Sequence, residues 1–507
     1  MFDYKQLQNG SDIRGVAMEG SERVNLTPEA AKRIGSAFVL WLEKKAGRKS
    51  PRISCGRDSR LSGPALAEAF TEGALSAGAD VTDFGLCSTP AMFMSTVTEG
   101  YMYDGSAMIT ASHLPPNRNG LKFFTRSGGL EKADITEILT MAGSGIFPKA
   151  ARGNRDQADF LSVYAEQLTE KIKKEVAAPD YDHPLKGFHI VVDAGNGAGG
   201  FFVEKVLLPL GADTSGSLYL EPDGNFPNHT PNPEDEHAMG FIVKAVKENR
   251  ADFGILFDTD VDRAGAVAPD GRELNKNRLI ALVSALILEE HPGTIIVTDS
   301  ITSRGLAEFI KQKGGIHHRF KRGYRNVINE SIRLNSEGRD SQIAIETSGH
   351  AALLENYFLD DGAYLITKIL IKLAKSRNSG EDLFKILDDL KEPAESYEFR
   401  MNIGTPDFKA YGNRIIKLLT AYAAGRDGWD IAPDNHEGIR VSFKRGDGDG
   451  WFLLRLSLHD PLMPLNIESD SIGGSRIIAK KLVEFLVQFS ELDISKLERF
   501  AHYDDES

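Results

Sequence analysis

The chain has 507 residues, of which 41% are hydrophobic and 26% are charged, and it contains 49 glycines. This length and composition are typical of a turn-rich globular protein with several domains, and they exclude an intrinsically disordered chain. The formal net charge is -13. Because nucleic acids and anionic membranes attract basic surfaces, this acidic balance predicts that neither of them is a partner.

Cysteine content and hydropathy bear on the cellular compartment. Cys55 and Cys87 are too few for a disulfide framework and lack metal-site spacing, which favours a reducing compartment. The first residues show no signal-peptide pattern. The longest apolar run, near Leu279 to Leu288, is shorter than the roughly twenty residues that a bilayer-spanning helix needs. We expect a cytoplasmic location, or the plastid stroma if a transit peptide has been removed.

A first block of alternating strands and helices extends from Arg14 to about Gln167. Ile53–Cys55 is a predicted strand, Gly63–Ala77 has helical periodicity, and residues 106–110 suit the end of another strand. A polar amphipathic stretch, Asp156 to Lys174, predicts a helix that connects this block to the next.

The loop after residues 106–110 presents one hydroxyl nucleophile, Ser112, next to His113. Pro115 and Pro116 prevent the loop from continuing as a helix, so Ser112 is expected to be held out of any helix cap. His113 and Lys122 can supply proton transfer and anion stabilisation, which a serine needs in order to exchange a phosphoryl group near neutral pH. The competing interpretation is a loop serine that only hydrogen-bonds its own turn.

The second block opens with the predicted strand His189–Asp193, followed by a glycine-rich turn at Gly195–Gly200. This turn satisfies the dinucleotide-binding pattern, with Asp213 as a candidate ribose acid. The pattern is weak, because a tight strand-to-helix turn or a phosphate site at a helix N-terminus produces it equally well. The chain has no Gly-Lys-Ser or Gly-Lys-Thr sequence, which excludes a P-loop NTPase.

Later in this block an apolar strand, Phe253–Phe257, leads into three carboxylates, Asp258, Asp260 and Asp262. Three like charges directly after a buried strand require a cation, and hard oxygen ligands suit Mg²⁺. An EF-hand is excluded, because Arg263 stands where that loop needs glycine and Pro269 where it needs glutamate. A solvated acidic turn is the remaining alternative.

The third block contains a helix around Leu279 and a strand at Thr294–Thr298. After residue 393 the order of strands and helices changes. Ile439–Phe443 and Trp451–Arg455 alternate as two hairpin strands across a Gly-Asp-Gly turn. The pattern therefore predicts three similar α/β blocks and a different final block.

With these stretches in view, the chain resembles the α-D-phosphohexomutase family, which includes phosphoglucomutase, phosphomannomutase and phosphoglucosamine mutase. The family's phosphoserine loop, Thr-Ala-Ser-His-Asn-Pro followed by Asn-Gly-x-Lys, matches Thr110 to Lys122, and its Asp-x-Asp-x-Asp-Arg metal loop matches Asp258 to Arg263. The sugar-recognition loop matches Glu346 to His350, and the phosphate-binding loop, Arg-x-Ser-x-Thr-Glu-Pro, partly matches Arg455 to Pro461. Two N-terminal segments, Asn9 to Gly15 and Gly56 to Gly63, are also similar.

Some positions depart from the family pattern. Asp12 replaces a glycine beside Arg14, and Ile345 and Thr347 alter the sugar-recognition loop, which therefore does not identify the sugar. In the phosphate-binding loop, Leu458 to Asp460 replace the usual Gly or Asn, Thr and Glu. These departures place the chain in an outlying branch of the family.

The resemblance implies an α/β fold, with three similar α/β mixed-sheet domains and a smaller C-terminal α+β domain around a central cleft. The expected domains are 1–175 with the phosphoserine loop, 176–272 with the metal loop, 273–392 with the sugar-recognition loop, and 393–507 with the phosphate-binding loop.

The implied activity is the interconversion of hexose 1-phosphate and 6-phosphate, for glucose and/or mannose, through a phosphoserine and a 1,6-bisphosphate intermediate. The implied cofactors are Mg²⁺ and a sugar 1,6-bisphosphate as activator or phosphoryl donor. The expected catalytic residues are Ser112, His113, Lys122, Arg263 and His350. The expected substrate-binding residues are Arg14, Glu346, Ser348, Arg325, Arg455, Ser457 and His459. The expected metal ligands are Ser112, Asp258, Asp260 and Asp262.

Two other functions are compatible with these residues. A hexose-1,6-bisphosphate synthase would use the same phosphoserine but release the bisphosphate, and the altered phosphate loop favours keeping this alternative. A non-catalytic phosphosugar-binding protein is disfavoured, because the serine and all three aspartates are retained. We expect small phosphosugars as partners and a monomer or small homo-oligomer.

Overall fold

The computed structural model describes residues 3–47, 49–457 and 460–502. These residues form two compact units. The first unit comprises the described residues up to Leu279 together with Ser348–Phe384, and the second comprises Ile280–Thr347 together with the described residues from Lys385 onward.

Strands and helices alternate along much of the described chain. The strands are β1 (Gln8–Asn9), β2 (Asp12–Val16), β3 (Arg52–Arg57), β4 (Asp80–Leu86), β5 (Gly105–Ile109), β6 (Arg118–Thr125), β7 (Gly128–Gly129), β8 (Arg155–Gln157), β9 (Ile190–Asp193), β10 (Phe253–Phe257), β11 (Ala264–Val267), β12 (Glu273–Leu274), β13 (Ile295–Thr298), β14 (Ile316–Arg319), β15 (Ile343–Ile345), β16 (Ala351–Leu353), β17 (Leu359–Asp360), β18 (Glu395–Asn402), β19 (Asp430–Ile431), β20 (Ile439–Ser442), β21 (Gly450–Leu454) and β22 (Leu462–Ser469). The α-helices are α1 (Pro28–Ala46), α2 (Gly63–Ser76), α3 (Thr89–Val97), α4 (Lys132–Ser144), α5 (Phe160–Val176), α6 (Glu236–Asn249), α7 (Lys276–Glu290), α8 (Arg304–Gln312), α9 (Tyr324–Ser336), α10 (Gly362–Ser379), α11 (Phe408–Ala424), α12 (Gly474–Leu486) and α13 (Ser495–His502). Short 3₁₀ helices lie at Tyr4–Leu7, Leu354–Asn356 and Leu383–Asp389, and a π-helix lies at Phe202–Leu207.

The first sheet has the order β1-β2-β6-β5-β3-β4-β8, with β7 paired to β6. Strand β3 is parallel to β4 and β5, whereas β5 and β6 are antiparallel, so the sheet is mixed. Helices α1 and α2 cross closely at Gly35. A Cβ on this residue would lie 2.2 Å from the carbonyl oxygen of Phe70, so only glycine permits this approach. The rings of Phe38 and Phe123, 4.6 Å apart, belong to the core against this sheet and contribute dispersion and apolar burial there.

The second sheet has the order β12-β11-β10-β9. Strand β10 is buried along its whole length between parallel β9 and antiparallel β11. Its burial explains its continuous apolar sequence, which is typical of a central strand. The chain reverses from β10 into β11 over residues 258–263, so the acidic cluster lies at the carboxyl end of a rigid, buried strand.

The second unit contains the parallel strands β13, β14 and β15 and an antiparallel C-terminal sheet of order β18-β22-β21-β20-β19. In that sheet β20 pairs with β21, with Ser442 opposite Trp451, which confirms the predicted hairpin. Strands β16 and β17 form an antiparallel pair in the first unit.

The predicted fold class is confirmed: three α/β segments, each with parallel and antiparallel strand pairs, precede a different C-terminal α+β segment. The predicted helix from Asp156 to Lys174 was wrong at its start. Asp156 lies in β8, and α5 begins at Phe160 because the side chain of Asp159 accepts a hydrogen bond from the Ser162 N–H, as a helix N-cap does. Within the described ranges, no helix combines the length and apolarity that crossing a membrane requires.

Candidate active site

Ser112 lies in the loop between β5 and β6, and its backbone is left-handed, with φ of 50°. This conformation is uncommon for a residue with a side chain and persists only where its surroundings hold it. The backbone N–H of Ser112 donates to the Thr110 hydroxyl at 2.9 Å. The serine is buried, rather than presented on an exposed loop as its sequence context suggests.

The Ser112 hydroxyl connects the loop to the metal-loop residues. Its Oγ donates to Oδ2 of Asp258 at 2.9 Å and accepts from Nη2 of Arg263 at 3.2 Å. The same Arg263 nitrogen lies 2.6 Å from Nδ1 of His113. The structure therefore brings the predicted nucleophile, one predicted metal ligand and two predicted catalytic residues together within the first unit.

The three aspartates of the reversal between β10 and β11 converge. One carboxylate oxygen from each of Asp258, Asp260 and Asp262 lies within 4.8 Å of the others, and all three residues are buried. Between them Val261 has φ of 67°, which is a strained backbone for a β-branched residue. The turn that imposes this conformation directs the side chains of Asp258, Asp260 and Asp262 toward one point.

The donor set fits Mg²⁺. Oδ1 of Asp260 and Oδ1 of Asp262 are buried without a hydrogen-bond partner, and a buried carboxylate oxygen without a partner is costly. Burial, together with the negative charges of Asp262 and Asp260, raises the pKa of Asp258 well above its usual range. Hard oxygen ligands with spare capacity are what Mg²⁺ prefers.

Lys122, on β6, points at the same cluster. Its Nζ forms an ion pair with Asp262 and lies 3.7 Å from Oδ2 of Asp260. Burial alone would raise the pKa of Asp262, but the charges of Lys122, His350 and Arg263 outweigh it and hold that pKa below its usual range. Lys122 therefore keeps one member of the cluster ionised.

The two predicted catalytic histidines have opposite ionisation behaviour. Burial and the Arg263 charge lower the pKa of His113 to about 3, so His113 is neutral at pH 7. Burial also disfavours the charged form of His350, but Asp360, which pairs with its Nδ1, outweighs burial and raises the pKa of His350 to about 9. At neutral pH one of these histidines is therefore unprotonated and the other is protonated.

Arg14 lies on β2 beside the loop. Its Nη1 donates to the carbonyl of Thr110 at 2.8 Å, and its Nη2 donates to Asp12 at 2.9 Å. The aspartate that departs from the family pattern thus pairs directly with the arginine beside it.

Sequence reasoning missed two residues that hold the predicted ones. Thr89, at the start of α3, donates its hydroxyl to Oδ2 of Asp260 at 2.5 Å and its N–H to the Asp260 carbonyl at 2.8 Å. Asp360 pairs with His350. Neither carries a motif of its own, although a carboxylate ten positions after His350 was visible in the sequence.

The glycine-rich turn at Gly195–Gly200 packs against the metal loop. A Cβ on Gly197 would lie 2.6 Å from the carbonyl oxygen of Thr259, and the N–H of Ala198 donates to that same oxygen at 2.8 Å. Close backbone approach therefore accounts for Gly197 without a dinucleotide.

The second unit holds a separate group of predicted residues. Oε1 of Glu346 accepts the N–H of Gly323 at 2.6 Å, just before α9, which carries Arg325. The hydroxyl of Thr347 donates to Oδ2 of Asp299 at 2.6 Å. Ser348 and His350 belong to the first unit.

The predicted phosphate-binding residues Arg455 and Ser457 follow β21 in the second unit. Nε of Arg455 is buried without a hydrogen-bond partner, and burial lowers the pKa of this guanidinium. The Ser457 hydroxyl accepts the N–H of Asp460 at 3.2 Å. His459, also predicted to bind substrate, lies outside the described residues.

Comparison with known proteins matches three family models along the chain. Residues 5–145, 162–271 and 275–392 match the phosphoglucomutase/phosphomannomutase α/β/α domains I, II and III, respectively. Together these matches cover more than half of the chain.

Individual relatives match over nearly the whole length. A phosphoglucomutase from Neisseria gonorrhoeae is 32% identical over 91% of this chain and 92% of its own length. A phosphoglucomutase/phosphomannomutase from Thermococcus kodakarensis is 33% identical over 92% of this chain and 94% of its own length. The crystal structure of a phosphoglucomutase/phosphomannomutase family protein from Burkholderia thailandensis superimposes with a TM-score of 0.79 at 28% identity, covering 97% of this chain and 100% of that one.

Proposed function

Because the chain belongs to the phosphoglucomutase/phosphomannomutase family and is a hexose phosphate mutase, we propose that it interconverts the 1-phosphate and 6-phosphate of glucose and/or mannose through a phosphoserine at Ser112. The contact of the Ser112 hydroxyl with Asp258 and Arg263 is the observation that carries this proposal. This contact supports a phosphoryl-carrying role for Ser112, because its oxygen lies beside both a candidate metal site and a permanent positive charge.

The reaction takes place in two phosphoryl transfers. In the first, the free hydroxyl oxygen of a hexose monophosphate bonds to the phosphorus while the bond from phosphorus to Ser112 Oγ breaks. The hydroxyl proton moves to one histidine, and the departing Ser112 Oγ takes a proton from the other. The product is an enzyme-bound 1,6-bisphosphate. After this intermediate turns over, Ser112 Oγ attacks its other phosphate, and the monophosphate isomer leaves with its hydroxyl protonated.

The protein groups have distinct roles in these steps. In the first transfer His113, which is neutral at pH 7, accepts the hydroxyl proton, and His350, which is protonated, donates one to the departing Ser112 oxygen. In the second transfer the two histidines exchange these roles. Arg263 and Lys122 stabilise the charge that develops on the transferring oxygens.

Mg²⁺ would be held by Asp258, Asp260, Asp262 and the Ser112 oxygen. When bound, it would supply electrostatic stabilisation of a phosphoryl group. The two buried carboxylate oxygens without hydrogen-bond partners support this site.

Sugar and distal-phosphate binding are assigned to the remaining predicted residues. Glu346 and Ser348 would bind sugar hydroxyls, and Arg14 and Arg325 would also bind the substrate. Arg455, Ser457 and His459 would hold the phosphate that is not being transferred. The buried Arg455 Nε without a hydrogen-bond partner supports an anion at that position, since a guanidinium binds phosphate by charge-assisted hydrogen bonds.

We propose four domains, with boundaries at 1–175, 176–272, 273–392 and 393–507. The separate sheets in these segments support the division. A reducing compartment, cytoplasm or plastid stroma, is supported by Cys55 and Cys87, which are buried free thiols. We further propose that the protein is a monomer or small homo-oligomer and that it binds no nucleic acid.

A bisphosphate synthase is the second candidate function. The observation that favours it is the replacement of the family's usual phosphate-loop residues by Leu458 to Asp460. A synthase would release the 1,6-bisphosphate that a mutase retains. The two are separated by a coupled assay over glucose, mannose and glucosamine phosphates, with and without added bisphosphate. Isomerised monophosphate as the main product supports the mutase, whereas net accumulation of bisphosphate supports the synthase.

A further inference from the structure

Arg60 is fully buried beneath the loop that carries Ser112, although it lies 52 positions earlier in the sequence. Its Nη2 donates to the carbonyls of Ser112 and Leu114, both at 2.5 Å. Its Nη1 donates to the carbonyls of Pro115 and Arg118, at 2.8 and 2.9 Å. A guanidinium has four terminal N–H donors, so all four are used on this loop.

Arg60 is itself held in place. Its backbone N–H donates to Oδ1 of Asp58 at 2.9 Å, and its Nε lies 3.4 Å from Oδ2 of the same carboxylate. The guanidinium lies 5.1 Å from the centre of the Phe226 ring. Gly224 packs so closely that a Cβ there would lie 2.7 Å from Cα of Arg60. A buried, paired and stacked arginine has little freedom to move.

The acceptor carbonyls belong to a loop whose residues form few backbone hydrogen bonds with one another. Backbone hydrogen bonds join the N–H of Leu114 to Ala111 at 3.2 Å and the N–H of Arg118 to Pro115 at 3.0 Å. Ser112 has the left-handed φ of 50°, which costs energy unless neighbouring groups impose it. Its N–H donates to the hydroxyl of Thr110, and its carbonyl accepts from Arg60. The carbonyl of the strained residue is thus tied to Arg60, and Arg60 is tied to Asp58.

We propose that Arg60 is a positioning residue for phosphoryl transfer: it holds the backbone of residues 112–118 so that Ser112 Oγ stays in line with the phosphorus and the incoming hydroxyl oxygen, on the opposite side of the phosphoryl group. This inference rests on the proposed function of Ser112. Lysine cannot replace Arg60, because a single ammonium has three donors at one point and cannot reach four carbonyls.

The test compares purified Arg60→Lys and Arg60→Ala with wild type in steady-state kinetics and in hydrogen–deuterium exchange of the loop. Since a misplacement of about 1 Å at a reacting group can cost about 100-fold in rate, we expect kcat per folded molecule to fall by that order. KM should change by less than about threefold, because the loss occurs in the transition state. The amides of residues 112–114, 117 and 118 should exchange faster; Pro115 and Pro116 have no amide hydrogen. Added guanidinium ion should partly restore kcat of Arg60→Ala, whereas methylammonium should not.

Arg52→Lys is the matched control. Arg52 begins β3, the strand that precedes Arg60, and also donates to a backbone carbonyl, that of Tyr101 at 3.0 Å. Because this carbonyl lies outside residues 112–118, the replacement of Arg52 should leave kcat unchanged. If Arg60→Ala does not fold, Arg60→Lys decides; if neither folds, Asp58→Asn, which loosens the Arg60 anchor, takes its place in the same comparison.

The proposal is overturned if the folded variant keeps kcat within about twofold of wild type, if only KM rises, or if kcat falls while loop exchange is unchanged. Phosphate labelling of the wild-type protein distinguishes a failure of the Arg60 proposal from a failure of the proposed phosphoserine function. An unlabelled wild-type Ser112 would refute the phosphoserine itself, whereas a labelled wild type with an unimpaired Arg60→Lys would refute only the role of Arg60.

Discussion

Oγ of Ser112 donates a hydrogen bond of 2.9 Å to Oδ2 of Asp258, across 146 positions of sequence. This hydrogen bond can exist only while the serine is unphosphorylated, because phosphorylation replaces the donated proton with phosphorus. A phosphate on Ser112 would then lie beside a carboxylate of the same sign, and the two would repel each other unless a cation screens them.

The first prediction concerns the cation dependence of the two forms of the protein. Removing divalent cations with a chelator should lower the Tm of phosphorylated protein more than that of dephosphorylated protein, because only the phosphorylated form loses the screening between phosphate and Asp258. A ligand present at 100 times its Kd stabilises a folded protein by roughly 2.7 kcal/mol, which calorimetry resolves. Equal shifts in both forms would contradict this account.

The second prediction tests the acidic cluster directly. Asp260→Asn should weaken Mg²⁺ binding and lower kcat by about 100-fold or more, since removing several kcal/mol of charge stabilisation has that effect. Asp361→Asn is the control, because Asp361 is equally buried but pairs with Tyr164 and Asn356. Titration calorimetry with Mg²⁺ alone measures the binding, and unchanged affinity in Asp260→Asn would place the metal site elsewhere.

The third prediction concerns Thr89, whose hydroxyl binds the Asp260 carboxylate. Groups that orient metal ligands typically affect affinity by about 10 to 100-fold, so Thr89→Val should weaken Mg²⁺ binding by that range. Thr89→Ser keeps the hydroxyl and should stay close to wild type. If valine and serine variants bind Mg²⁺ equally well, the hydroxyl has no part in orienting Asp260.

The fourth prediction concerns Arg455. Arg455→Ala should raise KM for hexose phosphates by roughly 10 to 100-fold, because a hydrogen bond to a charged group contributes about 1.5–3 kcal/mol. Arg400→Ala, on the exposed surface of the same C-terminal segment, should leave KM unchanged. A fall in kcat with constant KM would show instead that Arg455 acts in the chemical step.

The fifth prediction concerns pH and the buried pair of His229 and Asp193, whose closest atoms are 2.9 Å apart. Burial alone would lower the pKa of His229, but the bond and charge of Asp193 outweigh it, so the pKa is raised. A raised folded-state pKa contributes stability that is fully present below the unfolded value of about 6.5 and is lost as pH rises through the folded value.

His229→Asn should therefore be most destabilising at acidic pH, by about 3–5 kcal/mol as expected when one partner of a buried pair is removed. The penalty should shrink from pH 6 toward pH 9. Urea unfolding of both proteins across this range measures it, and a penalty that is independent of pH would mean that the pKa of His229 is the same in the folded and unfolded states.

The residues that carry chemistry were better predicted from sequence than the residues that hold them. Ser112 and the aspartates stand in motifs whose spacing has a chemical reason, and the structure brings them together. Thr89 has no such signal, because a hydroxyl at the start of a helix is a common helix-capping residue. Arg60 stands in the Gly56 to Gly63 segment that resembles the family, but its contacts with backbone carbonyls were not predictable, because carbonyl acceptors leave no mark in a sequence.

The fold was predictable for a related reason. The strands β9, β10 and β13 are buried and read as continuous apolar runs, which the sequence displays. The short strand β8 is exposed and polar, so only its pairing with β4 distinguishes it from the helix that follows.

Phosphorylation of Ser112 is the most direct test of the central claim. After incubation with glucose 1,6-bisphosphate, peptide mass spectrometry should find a single phosphate on Ser112, and mixing this form with unlabelled hexose monophosphate should transfer the phosphate at least as fast as kcat. Ser112→Ala should acquire no phosphate and show no turnover. A phosphate on another residue, or sustained turnover by Ser112→Ala, would contradict the account.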